Sequence, residues 1–373
     1  MKTINKSTGI IQYFAKILVA STVALAFVAC GDDSSSASDE EVEQTRSSTY
    51  VFGTDFASGE LRWVEDGKLS EESLEFFQDA KIVTVDSSIL VLEGAGADNV
   101  SLVNSKHKVV WQVSLDDYSN PRDAVVLDGY AWIALEGVDK FVQISLKDGS
   151  VHKTVKTGAF NRKGASSPNL IDFEVLGDTL FALFQRYVYD AATYSSKFSR
   201  GLLAMYSSKG ELLDTIQLLN KNPVAVKKAK KNLYVFSQGE YNDSWGTDAD
   251  DKRGIEKVDI SKKKSKLLVG GEKLGGGVYS AAVDEENEIA FVAVYKSYGD
   301  VPVMEVDLEK GSAEKLEGVS DVEGSLGFNE GKLYVGERAI GAEGVYVYDG
   351  DEMTKLESDA PDALPPYGFT FSF

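Results

Sequence analysis

The chain has 373 residues, and 59 acidic against 39 basic side chains give it a formal charge of −20. Such a balance excludes a general nucleic-acid binder, whose affinity rests on phosphate neutralisation by a basic surface. Apolar residues make up 43% of the chain and aromatics 10%, enough for a large core, while one cysteine and two histidines exclude an internal disulfide and a Cys/His zinc site.

The first segment reads as an export signal. Lys2, Lys6 and Lys16 form a positive n-region, and Ile17 to Ala29 form an apolar run too short to span a bilayer, which needs about 20 residues. The run ends at Phe27-Val28-Ala29-Cys30, which resembles a bacterial lipobox. Residues 1–29 are therefore expected to be a lipoprotein signal peptide and Cys30 the lipidated first residue of the mature chain. Residues 30–48 are polar, acidic and serine-rich, too poor in apolar surface to fold, and are expected to act as a flexible tether. A mature chain this acidic is not drawn to anionic headgroups, which leaves the lipid as its membrane anchor. Gly31 follows the cysteine where an inner-membrane retention signal would place aspartate, so an outer-membrane, surface-exposed lipoprotein is expected.

From Thr49 to Phe373, apolar runs of four to eight residues alternate with Gly, Asp, Asn and Lys turns, without helical periodicity. The chain is predicted to be all-β. Residues 121–156 supply a template of four short strands: AVVL, YAWIAL, FVQISL and VHKTV. The same order recurs in residues 81–115, 169–218, 223–269, 278–316 and 322–356, giving six complete copies. Residues 49–77 hold only the last three strands of a copy, and residues 367–373 (YGFTFSF) only a first strand. Together they complete a seventh copy, as ring closure requires. The prediction is a seven-bladed β-propeller of four-stranded blades, closed by the C-terminal strand joining the N-terminal blade.

Asn120-Pro121-Arg122 before AVVLDGYAWIAL and FVQISLKDG, and Asn222-Pro223 before VAVKKAKKNLYVF, carry a blade pattern that resembles the YVTN or YncE-like propellers. The resemblance covers nearly all of residues 49–373. In layout the chain is similar to the surface-exposed lipoproteins of that kind that capture vitamin B12 beside an outer-membrane transporter. It implies a lipid-anchored binding protein with a small ligand and a membrane partner, and no residue pattern specific to corrinoids is present.

Propeller topology places the first-to-second and third-to-fourth turns on one face, where they are minimal (Asp128-Gly129, Gly177-Asp178). The opposite face carries the long loops 186–200, 240–254 and 296–301 and the junction 158–167. Their aromatics, Tyr187, Tyr189, Tyr194, Tyr241, Trp245, Tyr295 and Tyr298, are candidate ligand contacts, since Tyr and Trp give large amphipathic area at small entropy cost. The alternative is that they pack the loops on themselves. Arg186 and Arg200 are candidate partners for a ligand's polar groups, or balance Asp190 and Asp243. Asp248, Asp250 and Asp251 offer hard oxygen ligands for calcium but lack the glycine and downstream glutamate of an EF-hand; no other cofactor is expected. Asp123, Asp172, Asp321 and Glu323 enter the innermost strands near the axis, where acids are expected to hold backbone amides.

Neither His107 nor His152 falls on the long-loop face, and no carboxylate pair is singled out by spacing. The chain is expected not to be an enzyme. The function expected is capture of a small ligand or glycan on the long-loop face and its transfer to a membrane partner such as a transporter. The alternative is an interaction scaffold for protein or polysaccharide.

Overall fold

The computed structural model describes residues 48–241 and 252–372. Cys30, Trp245, Asp248, Asp250 and Asp251 lie outside the described residues. The strands form seven blades arranged as a β-propeller. Six are four-stranded antiparallel sheets with strands in chain order from the axis outward: blade 2 from Ala80–Val85, blade 3 from Pro121–Leu127, blade 4 from Leu170–Leu176, blade 5 from Pro223–Ala229, blade 6 from Gly277–Asp284 and blade 7 from Leu326–Asn329. In blade 1 the chain ends meet: Ser48–Thr54 pairs with Gly59–Glu65 on one side and the C-terminal strand Pro366–Ser372 on the other. The closure inferred from the two partial repeats is therefore present.

The middle strands of each blade are sandwiched between neighbouring blades, which explains their unbroken apolar runs (YAWIAL, TLFALF, NLYVFS). Outer strands such as Val109–Ser114 face water on one side and alternate. Between blades 3 and 4 the fully buried Phe141 ring meets Trp132, Phe173 and Tyr206 edge-on, with centroids 5.5, 5.4 and 5.1 Å away. Asp128 and Gly129 both take positive φ (54° and 77°), the backbone of a two-residue hairpin whose twist matches the strands.

Inner strands run from the long-loop face toward the short-turn face, and their starts suit the edge position. Pro121, Pro223 and Pro366 open three of them, where a missing N–H costs no ladder bond. Strand Ser48–Thr54, second from the axis in its blade, runs the other way, so the chain enters the propeller from the short-turn face. Loop 186–200 contains a hairpin, Tyr187–Asp190 paired with Ser195–Phe198. Sequence periodicity missed it because the two strands are short and mostly polar.

Removal of residues 366–373 exposes both edges of the opened ring and uncovers Tyr50 and Phe52. Thermal unfolding followed by circular dichroism is expected to lose its cooperative transition, whereas Ile340→Ser, at a fully exposed position, leaves the midpoint unchanged. A truncated chain that melts like the full chain contradicts closure by the last strand.

Candidate functional site

On the long-loop face the axis opens into a chamber of about 400 Å³. Residues near the starts of the inner strands ring its wall: Lys81, Arg122, Ile171, Val224, Tyr279 and Tyr367. A second tier comes from the residue just after each second strand in three consecutive blades, Glu136, Gln185 and Gln238. One backbone device sets these three. Asn120, Asn169 and Asn222 adopt positive φ (47°, 59° and 47°), and their carbonyls accept the N–H groups of Glu136, Gln185 and Gln238 at 3.1, 3.0 and 2.9 Å. Asparagine tolerates this conformation better than other side chains.

A hydrogen-bonded belt follows from that placement. Gln185 Nε2 donates to Asn222 Oδ1 (2.8 Å), Asn222 Nδ2 to Gln238 Oε1 (3.0 Å), and Gln238 Nε2 to the Tyr241 hydroxyl (2.7 Å). Glu136 accepts from Asn120 Nδ2 (2.8 Å) and the Tyr187 hydroxyl (2.9 Å) and pairs with Arg122 Nε at 3.4 Å. Arg122 also reaches Asp79 at 3.3 Å. The facing wall is aromatic. Tyr295, 8% exposed, stands behind it, stacked on Tyr279 (5.9 Å) and edge-on to Tyr241 (5.8 Å). Lys81 Nζ lies 4.1 Å over the Tyr367 ring. Gly277 is required here, because a β-carbon would sit 1.9 Å from the Gln238 carbonyl oxygen. Burial pushes the Tyr241 hydroxyl up to about 12 and raises those of Tyr187 and Tyr279 further, so all three stay neutral hydrogen-bonding groups.

The chamber floor is Asp123, Asp172 and Lys227. Asp123 Oδ2 accepts the Phe173 amide (2.8 Å) and Asp172 Oδ2 the Val226 amide (2.6 Å), each crossing to the next blade. Asp123 and Asp172 thus hold backbone amides as expected, whereas Asp321 and Glu323 accept none among the described residues; there Glu337 takes the amides of Ser320 and Asp321 instead. Lys227 Nζ lies 3.3 Å from Asp172 Oδ1 and faces the channel, enclosed by protein rather than packed in solid core. Burial raises both carboxyls, Asp172 well above the usual range, against the pull of Lys227. Burial disfavours the ammonium in turn, but Asp172 and Asp123 outweigh it and raise Lys227. Beyond the floor, a cavity of about 500 Å³ opens toward the short-turn face, beside Glu174, Lys228 and Glu285.

Of the residues singled out from sequence, Tyr241 lines the chamber, and Tyr187 supports it through Glu136. Tyr295 backs its aromatic wall. Tyr189, Tyr194 and Tyr298 are 54%, 75% and 89% exposed and stand on the loops above, outside the chamber lining. Arg186 Nε donates to the Phe160 carbonyl and its NH1 to Gln217 Oε1, both at 3.3 Å, while Asp190 accepts the Ala192 amide. Arg200 is exposed and pairs through its backbone with Lys221. His107 and His152 serve as packing surfaces, stacked on Trp63 (3.7 Å) and Tyr130 (4.5 Å). Arg122, Glu136, Gln185, Gln238, Tyr279 and Tyr367 were not anticipated. Their signal lay in recurrence at fixed places of each repeat, not in loop length.

No family model matches the chain, and no curated protein does. Among solved structures the chain is similar to AztD of Citrobacter koseri, with a TM-score of 0.54 and 11% identity over 87% of this chain and 97% of that one. It is also similar to the Cps50 (Swd1) β-propeller domain of Myceliophteria thermophila, with a TM-score of 0.57 and 10% identity over 80% and 96%. Kuenenia stuttgartiensis hydrazine synthase gives a TM-score of 0.52 and 13% identity over 73% and 76%. At such identities the likeness is one of fold: the protein is a seven-bladed β-propeller.

A carboxyl raised in the folded state contributes stability that is present at low pH and lost as pH rises through its folded value. Asp172→Asn removes that contribution. The difference in thermal midpoint, wild type minus variant, is expected to fall as the pH rises above 4; a difference that does not change with pH contradicts a carboxyl raised above its ordinary range at the floor.

Proposed function

We propose that this propeller is a non-catalytic capture protein that holds a small polar ligand in the chamber on its long-loop face. The observation that carries this is the chamber's two-sided wall, with tyrosine rings on one side and the Glu136–Gln185–Gln238 belt on the other. Such a pairing of apolar surface with a few fixed polar groups is the usual make-up of a ligand site. Its volume of about 400 Å³ suits a molecule of sugar size. A corrinoid, which the resemblance to B12-capturing propellers would imply, has to lie across the rim instead.

The rim supports a second contact. Phe56, Tyr118, Tyr194, Tyr298 and Ile340 are 52 to 100% exposed, and all sit on loops of the long-loop face in five different blades. Exposed aromatics around a polar opening mark a protein contact surface. We place the protein in the cell envelope as an outer-membrane, surface-exposed lipoprotein anchored through Cys30, handing its ligand to a membrane partner such as a transporter. A tether raises the effective concentration between the propeller and that partner. The same exposed rim favours a second reading, an interaction scaffold for protein or polysaccharide that carries no cargo.

Thermal midpoints against sugars, corrinoids and haem separate the two, since a ligand bound only by the folded state raises the midpoint. Capture predicts a shift of several degrees that Tyr279→Ala abolishes and Tyr194→Ser with Tyr298→Ser preserves. A shift lost in the rim variant and kept in Tyr279→Ala places binding on the rim and supports the scaffold.

A further inference from the structure

Donors and acceptors in the chamber wall do not balance. The carboxylates are engaged: Glu136 takes Asn120 Nδ2 and the Tyr187 hydroxyl, while Asp123 and Asp172 hold backbone amides. In the belt, Asn222 Oδ1 and Gln238 Oε1 each take an amide nitrogen. Several donors, by contrast, are unspent. Among the described residues the Lys81 ammonium makes no hydrogen bond or ion pair, and the Tyr279 and Tyr367 hydroxyls donate to no acceptor, although all three residues line the chamber. None of these three polar atoms is sealed from solvent. Arg122 is matched by Glu136 and Asp79, and Lys227 by Asp172, so Lys81 is the cation of the described lining whose charge no carboxylate meets.

These donors belong to one corner. Lys81 Nζ lies 4.1 Å over the Tyr367 ring, and Tyr367 and Tyr279 close on Gly324 together: a β-carbon there would stand 3.4 Å from Tyr367 Cε2 and 3.6 Å from Tyr279 Cε1. Gly324 lines the chamber with a φ of 76°, so between the two rings blade 7 presents bare backbone. The Tyr367 face steadies the ammonium electrostatically but accepts its three N–H groups poorly, and an oxygen ligand can still take them. A carboxylate suits the corner, being acceptor-only and carrying the one charge that one ammonium matches. A neutral hydroxyl leaves the ammonium uncompensated, and a phosphate dianion brings more charge than Lys81 answers. The formal charge of −20 opposes an anion from afar, but salt screens that field within about 8 Å. A charge-assisted hydrogen bond acts at contact and prevails there.

We propose that the corner of the chamber formed by Lys81, Tyr367 and Tyr279 binds the carboxylate of a small acidic ligand of the sugar-acid class. This deepens the capture function and rests on it, since it names the class of ligand that the same chamber takes.

Calorimetric titration of the purified protein with glucuronate, with glucuronamide, which has nearly the same shape without the charge, and with maltose tests this. Glucuronate is expected to bind about tenfold more tightly than the amide, in line with a charge-assisted hydrogen bond. Lys81→Met, which keeps an apolar stem beside Tyr367, is expected to weaken glucuronate by about tenfold and to leave glucuronamide unchanged. Tyr279→Leu is expected to weaken both. Circular dichroism melting of each variant keeps folding apart from binding. Equal affinity for glucuronate and its amide, glucuronate binding indifferent to Lys81→Met, or no glucuronate binding overturns the proposal. Maltose binding that Tyr279→Leu abolishes, without glucuronate binding, overturns the acid assignment and leaves capture standing. Binding of none of the three, in a chain that melts cooperatively, counts against both.

Discussion

Everything near the axis of this molecule follows from one constraint: the innermost strand of each blade is an edge strand with no strand beside it. Its amides point toward the neighbouring blade across a gap that backbone hydrogen bonds do not bridge, and a buried amide must find some acceptor. Side chains supply it. Asp123 reaches the Phe173 amide, Asp172 the Val226 amide and Glu174 the Lys228 amide, each from one blade to the next. At the closure Thr84 accepts the Phe371 amide and bonds Thr370 at 2.6 Å. Carboxylates chosen for this task bring negative charge to the axis, and Lys227 is the answering cation. The floor that divides the channel is thus a by-product of stitching blades together.

Above that floor the inner strands diverge, and their first residues no longer need to stitch. These positions are free to vary between blades, and they vary by sector. Blades 2 and 3 contribute cations, Lys81 and Arg122, blades 4 and 5 aliphatics, Ile171 and Val224, and blades 6 and 1 tyrosines, Tyr279 and Tyr367. A ring of near-identical blades becomes a chamber with distinct sides through substitution at one place per repeat. The loops above then form a separate tier, with exposed aromatics that do not enter the chamber. Chamber and rim therefore suit different partners, a small molecule within and a macromolecule across.

The fold was legible because the middle strands are buried on both faces and announce themselves as apolar runs, and because residues 49–77 and 367–373 are complementary fragments of one repeat. The long-loop face, on which the chamber opens, was legible too, from loop length alone. The chamber was not. Loop aromatics such as Tyr194 and Tyr298 stand out in sequence, yet they lie in the exposed tier, whereas Tyr279 and Tyr367 sit inside ordinary strand patterns (VYSAAV, YGFTF) and look like core. Arg122 lay in the quoted Asn-Pro-Arg segment, but its pairing with Glu136 depends on a positive-φ asparagine whose effect on the chain no residue pattern displays. Glu136, Gln185 and Gln238 are unremarkable singly and meaningful only when the blades are superposed.

The central claim is that the chamber, rather than the rim, holds the ligand, and native mass spectrometry of the protein purified from its own cells tests it most directly. The account predicts the mass of the chain plus one small molecule for the wild type and the bare chain for Tyr279→Ala. A small molecule retained at equal occupancy by Tyr279→Ala contradicts it.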